Sequence, residues 1–279
     1  MTTTVALLVL LSALLHASWN VFMKASADRL STLALFKLAS GAIALPFVLA
    51  LPLPGPEAWP FLGVTVVLHV CYQLFLIRAY DHGDLAQVYP LARGTAPLLV
   101  TIAAWVFVGE RLGPLTLAGV LVLVAGIMSL ALKGGRRITD DSRAVAYSLA
   151  TAAFIASYTV VDGLGARAAG SAHSYAAWLF ALEAIPITLI VLARRRDAFV
   201  IAVRRNWRPG FAAGAISMAG FWIAIWALSV APMGPVSALR ETSVVLAPVL
   251  AAIFVRERFT AWRAGACLAV LAGAVLVRL

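Results

Sequence analysis

The chain alternates between long apolar stretches and short polar or Pro- and Gly-containing breaks along its whole length. A helix needs about 20 apolar residues, rising 1.5 Å each, to cross the hydrocarbon core of a bilayer. Ten stretches meet or approach that length. The pattern therefore predicts transmembrane helices at 5–24, 32–52, 59–80, 85–108, 114–132, 145–164, 173–193, 209–229, 236–255 and 262–277.

Composition supports a protein whose main solvent is lipid. Of the 279 residues, 63% are hydrophobic and 12% are charged. The charged fraction is about half of that usual in soluble domains. The net charge of +10 would suit a nucleic-acid-binding protein, but the charges lie between apolar stretches and form no basic face. We therefore predict a multi-pass membrane protein with no nucleic-acid partner.

The sequence also contains an internal repeat. A shift of 147 residues places Arg93 on Arg240 and Glu110 on Glu257, so that two charged positions 17 residues apart match in type and register. Such a match is not expected by chance. It indicates two related halves of five helices each.

An odd number of helices per half places the second half in the membrane upside down. The loop 53–58 contains no Lys or Arg, whereas its repeat partner, 194–208, contains six. If the two halves are inverted, these equivalent loops lie on opposite sides of the membrane, and the positive-inside rule predicts that only one of them is rich in Lys and Arg. The predicted fold is thus all-α, a polytopic membrane protein of ten helices in two inverted five-helix repeats, 1–136 and 143–279. Inverted repeats are common in secondary transporters, whose substrate sites lie near the bilayer midplane.

The distribution of basic residues predicts an orientation. Sixteen Lys and Arg residues lie in or beside the loops after the odd-numbered helices, and three lie at the termini or in the other loops. The odd loops are therefore expected in the cytoplasm and both termini outside it.

Two arginines are expected near mid-membrane. Arg93 lies eight residues into the fourth predicted helix, and the repeat gives Arg240 an equivalent depth. A charge at that depth costs about 2.5–3.5 kcal/mol on insertion scales, so each marks a binding site or an internal ion pair. The guanidiniums could hold a carboxylate or phosphate by bidentate bonds. Alternatively, each neutralises a buried acid such as Glu183, Glu241 or Asp162.

Other polar and aromatic residues complete the candidate substrate site. In the first predicted helix, His16 and Asn20 form a polar face beside Trp19, which suits the wall of a wet cavity or hydrogen bonding between helices. Burial favours the protonated form of a carboxyl, so Glu183 and Asp162 are candidates for binding a coupling proton. Trp222 and Trp226 could line the cavity, or they could lie at the membrane interface, where tryptophan is common. The remaining candidates are Tyr72, Gln73, Tyr89, Tyr158, Trp222, Trp226 and Glu241.

Other residues are expected to have structural roles or none. Glu110 and Glu257 lie at helix ends, where a carboxylate caps a helix or pairs locally. No catalytic constellation, phosphate loop or metal spacing is present in the sequence, so we predict neither an enzyme nor a cofactor or metal site.

The sequence resembles the EamA-type family of the drug/metabolite transporter superfamily. The resemblance rests on the five-plus-five helices, on the helix end 109–112 followed by Gly-Pro, and on the stretches 15–20, 88–94 and 239–243. It implies a transporter that exports amino acids and other small metabolites. Many relatives have cytoplasmic termini, so the resemblance also implies cytoplasmic termini for this chain. The charge count predicts the opposite orientation.

The leading hypothesis is a secondary transporter of the bacterial cytoplasmic (inner) membrane. It would export small polar metabolites such as amino acids by alternating access through a cavity between the repeats. The alternatives are a flippase for a phosphate-bearing lipid carrier and a non-transporting membrane scaffold or receptor. The expected partners are a small polar or anionic metabolite, the lipid bilayer and protons, with the chain as a monomer or homodimer.

Overall fold

The structure is a computed structural model of the chain. It describes residues 1–24, 28–83, 85–131, 141–246 and 261–278, without the side chains of 20–24, 29, 85–86 and 131. Structural statements below refer to this part of the chain. The side chain of Asn20, the residue Glu257 and most of the ninth predicted helix lie outside it.

Helices account for the secondary structure of the described residues. The principal helices are α1 (Thr3–Lys24), α2 (Arg29–Ala50), α3 (Trp59–His82), α4 (Leu85–Ala103), α5 (Pro114–Ala131), α6 (Ser142–Ala168), α7 (Ala172–Val230), α8 (Met233–Arg240) and α9 (Ala261–Arg278). A 3₁₀ turn at Pro56–Ala58 precedes α3, and a π-helical segment at Ala104–Val108 extends α4.

Six helical stretches are long and apolar enough to cross a membrane. They are Leu30–Ala50, Pro56–His82, Gln87–Val108, Ser142–Ala168, Ala172–Val230 and Ala261–Arg278. Two shorter apolar helices, Thr3–Trp19 and Pro114–Leu130, accompany them. The predicted class, an all-α polytopic membrane protein, is confirmed, whereas six rather than ten helices in the described part of the chain meet the length and composition expected of a span.

Helix α7 contains two predicted spans in one element. A straight helix of its 59 residues would be about 90 Å long, three times the hydrocarbon thickness. The backbone leaves helical geometry at Arg195 and Asn206. The rings of Phe180 and Phe221 are nevertheless only 6.1 Å apart. Helix α7 therefore folds back on itself, with a first arm before Arg195 and a second arm after Asn206.

The start of α2 shows how a polar side chain sets a helix boundary. Asp28 accepts hydrogen bonds from the backbone N–H and hydroxyl of Ser31, at 3.3 and 2.6 Å, which satisfies donors that the first turn leaves free. Asp28 also pairs with Arg195 at 3.3 Å. Partial burial opposes the charge of Asp28, but the bonds from Ser31 and the nearby Arg195 outweigh it and lower the pKa of the carboxyl.

Helices at equivalent places in the two halves pack against each other in opposite directions. A Cβ atom added to Gly119 of α5 would lie 2.5 Å from the backbone nitrogen of Val277 of α9. One added to Gly126 would lie 3.0 Å from the nitrogen of Val270. Higher numbers in α5 thus meet lower numbers in α9, so these last helices of the two halves are antiparallel, as an inverted pair requires.

The two halves interleave instead of lying side by side. Thr65 of α3 donates to Asp162 of α6 at 2.7 Å, and the rings of Phe75 and Phe154 are 5.0 Å apart, so these two helices are also antiparallel. Helix α2 packs on α7, and α1 packs on the second arm of α7. The interior is therefore lined by residues from both halves.

Polar contacts define the two ends of the bundle. At the terminal end, Arg278 donates to Thr3 at 2.8 Å, so the first and last described helices meet there. At the opposite, basic end, Arg195 pairs with Asp28, and His82 lies 3.4 Å from Asp141. The charged clusters described next lie between these two ends.

Candidate functional site

A buried carboxylate cluster joins α2, α3, α6 and the first arm of α7. Its charged members are Lys37, His69, Asp162 and Glu183. Glu183 Oε1 lies 2.5 Å from Lys37 Nζ and 2.9 Å from His69 Nδ1. The other ring nitrogen, His69 Nε2, lies 3.3 Å from Asp162 Oδ2. One histidine thus lies between two carboxylates.

Further groups complete the surroundings of Asp162. Its Oδ1 accepts from the Thr65 hydroxyl at 2.7 Å and from the Tyr175 hydroxyl at 3.1 Å. The Asp162 side chain is fully buried. A buried ionised carboxylate needs donors around it, and here Thr65 and Tyr175 donate while His69 Nε2 lies within hydrogen-bonding distance.

An aromatic layer separates this cluster from the next. The His69 ring lies against Tyr158, with centroids 4.0 Å apart, and meets the edge of Phe221 at 5.4 Å. Tyr72 lies 5.5 Å from Tyr158. On the far side of the layer, the Arg240 guanidinium stacks over Phe221 with its Cζ 4.9 Å from the ring centre, a cation–π geometry.

The second group of charges, the arginine cluster, consists of His16, Arg93, Arg240 and Glu241. Arg93 Nε lies 2.7 Å from Glu241 Oε2, and a terminal nitrogen of Arg93 lies 3.2 Å from His16 Nε2. Trp19 meets the His16 ring edge-on at 5.1 Å. The structure thus pairs Arg93 with one of the acids that the sequence offered for a purely structural pairing.

Arg240 is satisfied differently from Arg93. Its residue surface is 7% exposed, and no carboxylate forms an ion pair with it among the residues that the structure describes, whereas Arg93 pairs with Glu241. The Nε atoms of both arginines lack a hydrogen bond of good geometry to a described residue. The carbonyl oxygen of the Gln73 side chain is buried and unpartnered in the same described part. Unused polar groups at this depth leave hydrogen-bonding capacity for a ligand.

Several predicted site residues meet here, while others are placed elsewhere. Tyr89 lies within electrostatic reach of Arg93 and Glu241. Trp222 instead donates to His173 Nδ1 at 2.9 Å, near the start of α7, and Trp226 packs into the apolar core. A cavity-lining role for these two tryptophans stays a prediction.

Sequence reasoning missed Lys37 as a member of a site. Lys37 lies inside the second predicted helix, 32–52, and with Arg93 and Arg240 makes up the three basic residues that the charge count leaves within spans, but it was assigned no role. A lysine within a span is itself a signal, because it needs a carboxylate partner in the protein interior. The partner, Glu183, was a candidate for proton coupling, but nothing in the sequence links the two residues.

Glu110 has a structural contact that spans the two halves. It accepts from Arg167 at 2.7 Å and from the backbone N–H of Met233, the first residue of α8, also at 2.7 Å. Arg167 in turn donates to the carbonyls of Leu228 and Ala231. Glu110 therefore does cap a helix, but the helix is α8 of the other half rather than the next one in the chain.

The fold and the buried charges together define a multi-pass helical membrane protein with two like halves and a polar interior. The family model described as the EamA-like transporter family matches residues 3–132 and again 142–279. The chain belongs to this family, and the resemblance found in the sequence is confirmed. Transport across a membrane is the activity that membership indicates.

A solved structure shares this fold. It is described only as "Crystal structure of protein", and it aligns with a TM-score of 0.79 over 100% of this chain and 99% of its own at 20% sequence identity. At that identity the likeness concerns the fold alone. No curated protein matches the chain.

Proposed function

We propose that the chain is a ten-helix secondary transporter of the bacterial inner membrane. It exports small polar or anionic metabolites, such as amino acids, by alternating access at the arginine cluster between repeats 1–136 and 143–279. Membership of the family indicates transport, and the arginines of the cluster are suited to binding an anionic group. The proposal assigns no catalytic step. The chain acts as a monomer or homodimer, with protons as the coupling ion.

One observation carries the choice of substrate, namely the surroundings of Arg240. Its charge is buried and balanced by the ring of Phe221, with no hydrogen bond at Nε from the described residues. A guanidinium binds a carboxylate through two parallel N–H bonds, which a ring face cannot replace. A metabolite carboxylate would therefore gain more from Arg240 than from an arginine that is already paired.

The placement of the two arginines supports alternating access. Arg93 belongs to the first repeat and Arg240 to the second, and the charge of Arg93 acts on Arg240. A carboxylate that binds Arg240 and competes with Glu241 for Arg93 would contact both repeats at once. Binding could then bias their relative position, as in other transporters built from inverted repeats.

The proposed orientation keeps both termini outside the cytoplasm, on the charge count. Thr3 and Arg278 meet at one end, so both termini share a side. A C-terminal alkaline phosphatase fusion should be active and a fluorescent-protein fusion dark. The reverse result would place the termini in the cytoplasm, as in many relatives.

A flippase for a phosphate-bearing lipid carrier is the second candidate, because an apolar groove adjoins the arginine cluster. The groove measures about 370 Å³ and includes Thr242, the residue after Glu241. If the phosphate headgroup of a lipid bound at the arginines, the hydrocarbon chain of that lipid could lie in this groove. The groove is lined by Leu10, Leu11, Leu14, Thr242, Val245, Leu246, Val270 and Leu271.

Comparing spent medium from deletion and overexpressing strains tests the proposal. We expect one or a few anionic metabolites to accumulate with overexpression and to fall in the deletion strain. Arg240→Leu should remove the difference at matched membrane expression. The exposed Arg205→Gln, a matched loss of one arginine, should preserve it. An unchanged medium would contradict export and favour the scaffold, and a change confined to lipid-linked compounds would favour the flippase.

A further inference from the structure

The carboxylate cluster has an unusual distribution of charge between the repeats. Its basic members, Lys37 and His69, belong to the first repeat. Its acidic members, Asp162 and Glu183, belong to the second. Every ion pair within the cluster therefore crosses the interface between the repeats, so the charge state of the cluster acts directly on their attraction.

Hydrogen-bond geometry sets the protonation state of His69. A neutral imidazole donates from one nitrogen and accepts at the other, whereas an ionised carboxylate only accepts. His69 Nδ1 lies 2.9 Å from Glu183, and Nε2 lies 3.3 Å from Asp162. Both nitrogens must donate if both carboxyls are ionised.

The other neighbours of the two carboxyls are hydrogen-bond donors and a cation, which are the partners that an ionised carboxylate accepts from. Thr65 and Tyr175 both donate to the oxygen of Asp162 that His69 does not contact. Lys37 contacts the same Glu183 oxygen as His69 does. With these donors in place, the extra proton of the cluster resides on the imidazole ring.

We propose that His69 is the proton-binding residue of this transporter and that its proton clamps the two repeats together. The inference rests on the transport function proposed above and adds the residue that binds the coupling proton and the effect of that proton on the two repeats. With the proton bound, the charges of Lys37, His69, Asp162 and Glu183 balance. When the proton leaves, one ring nitrogen turns a lone pair toward a carboxylate of the other repeat. The first repeat then keeps only one of its two cations in the cluster, so the attraction between the repeats is weakened.

The surroundings of His69 indicate where the proton exchanges with water. The side chain of Lys37 is 19% exposed, whereas those of His69, Asp162 and Glu183 are 5% exposed or less. Lys37 is thus the most exposed member of the cluster, and the proton is proposed to leave past the Lys37–Glu183 edge. Among the described residues, the other ionisable groups facing the cluster are Tyr72, Tyr158, Tyr175 and Arg240, and the charges of Arg240 and Asp162 act on each other.

Nitrogen NMR of ¹⁵N-histidine-labelled protein in lipid nanodiscs tests this directly. The chain has four histidines, and His69→Gln assigns the signal. If that variant folds poorly, variants of the other three assign it by elimination. We expect both His69 nitrogens to be protonated at pH 7, and Asp162→Asn to convert the ring to a neutral form with one N–H. A neutral His69 ring in the unaltered protein from pH 6 to 8 would overturn the proposal.

Export at external pH 6 and pH 8 then tests coupling, with the metabolites that respond in the spent-medium experiment as the readout. His69→Gln should lose the pH dependence. His82→Gln removes a partly exposed histidine that also faces an aspartate, and it should retain that dependence. If His69→Gln keeps the dependence of the unaltered protein, proton coupling at His69 is wrong, although export stands. If His69 is doubly protonated but overexpression leaves the medium unchanged, the proton site at His69 stands and the proposed export fails.

Discussion

Two charged clusters lie in the same bundle on either side of Tyr158 and Phe221, and their charges are satisfied to different degrees. In the carboxylate cluster, with His69 protonated as proposed, each charge has an opposite charge within 3.3 Å. In the arginine cluster, Arg93 has Glu241 at 2.7 Å, but Arg240 rests on an aromatic ring. Both clusters are buried, so both carry a similar desolvation cost.

The difference separates a group that holds the repeats together from a group suited to a ligand. Buried charges that already face an opposite charge gain less from a bound metabolite than an unpaired one does, because the metabolite has to displace the existing partner. Arg240, which has no ion pair with a described residue, gains charge-assisted hydrogen bonds when a carboxylate arrives. Substitutions in the first cluster should therefore lower stability, and substitutions at Arg240 should mainly lower transport.

The largest expected effect follows Glu183→Ala. The change leaves Lys37 and a protonated His69 buried without their shared carboxylate, which costs about 3–5 kcal/mol of stability. The thermal unfolding of detergent-solubilised protein measures this decrease. Glu183→Gln combined with Lys37→Met removes both charges of the pair and should recover much of it. An unaltered melting temperature in Glu183→Ala would contradict the pairing.

Arg93→Lys should have an intermediate effect on stability, about 1–2 kcal/mol. The ammonium keeps the charge but loses the planar fork that reaches Glu241 and His16 together. Transport should fall as well if Arg93 binds the substrate. The double change of Arg93→Leu and Glu241→Gln removes the ion pair without leaving a lone charge. The double variant should fold whether or not Arg93 binds the substrate. It should transport only if the role of the Arg93–Glu241 pair is to hold the helices together.

Arg240→Leu should separate stability from transport most clearly. The substitution removes a cation–π interaction with Phe221, which is worth about 1 kcal/mol, and it breaks no ion pair among the described residues. Export should fall to the level of cells without the protein at equal membrane abundance. A variant that exports normally would remove Arg240 from the site.

Trp222→Phe should have the smallest effect. Trp222 donates to His173 at a partly exposed position, away from the ion pairs of both clusters. We expect a change in stability within about 0.5 kcal/mol and normal export. A strong decrease in export, with melting unchanged, would extend the substrate site to Trp222 and weaken the contrast between the arginine cluster and its surroundings.

Hydropathy predicts the class of this protein well, because lipid imposes the same requirement on every span. Its prediction of spans 173–193 and 209–229 also agrees with the two arms of α7, which the rings of Phe180 and Phe221 show to fold back on each other. The break between the arms is less clear than expected. Helical geometry persists through most of the basic segment between the arms and is interrupted at Arg195 and Asn206.

The candidate site was only partly predictable. Depth in the membrane identified Arg93, Arg240, Glu183 and Asp162, because a charge in a span needs an explanation wherever it occurs. The position of a charged residue within a span does not identify the residue with which it forms an ion pair. Lys37 received no role, and the capping carboxylate Glu110 was expected to act locally, although it contacts Met233 of the other half.

The sequence by itself determined that this chain is a helical membrane protein of the EamA-like type with an internal repeat, since these features depend on residue type and spacing along one segment at a time. Only the tertiary structure decided that Lys37 and His69 face Glu183, that Arg93 faces Glu241, and that Arg240 has no such partner among the described residues. Those pairings depend on how helices rotate and cross when two halves interleave. No spacing within a single helix contains that information.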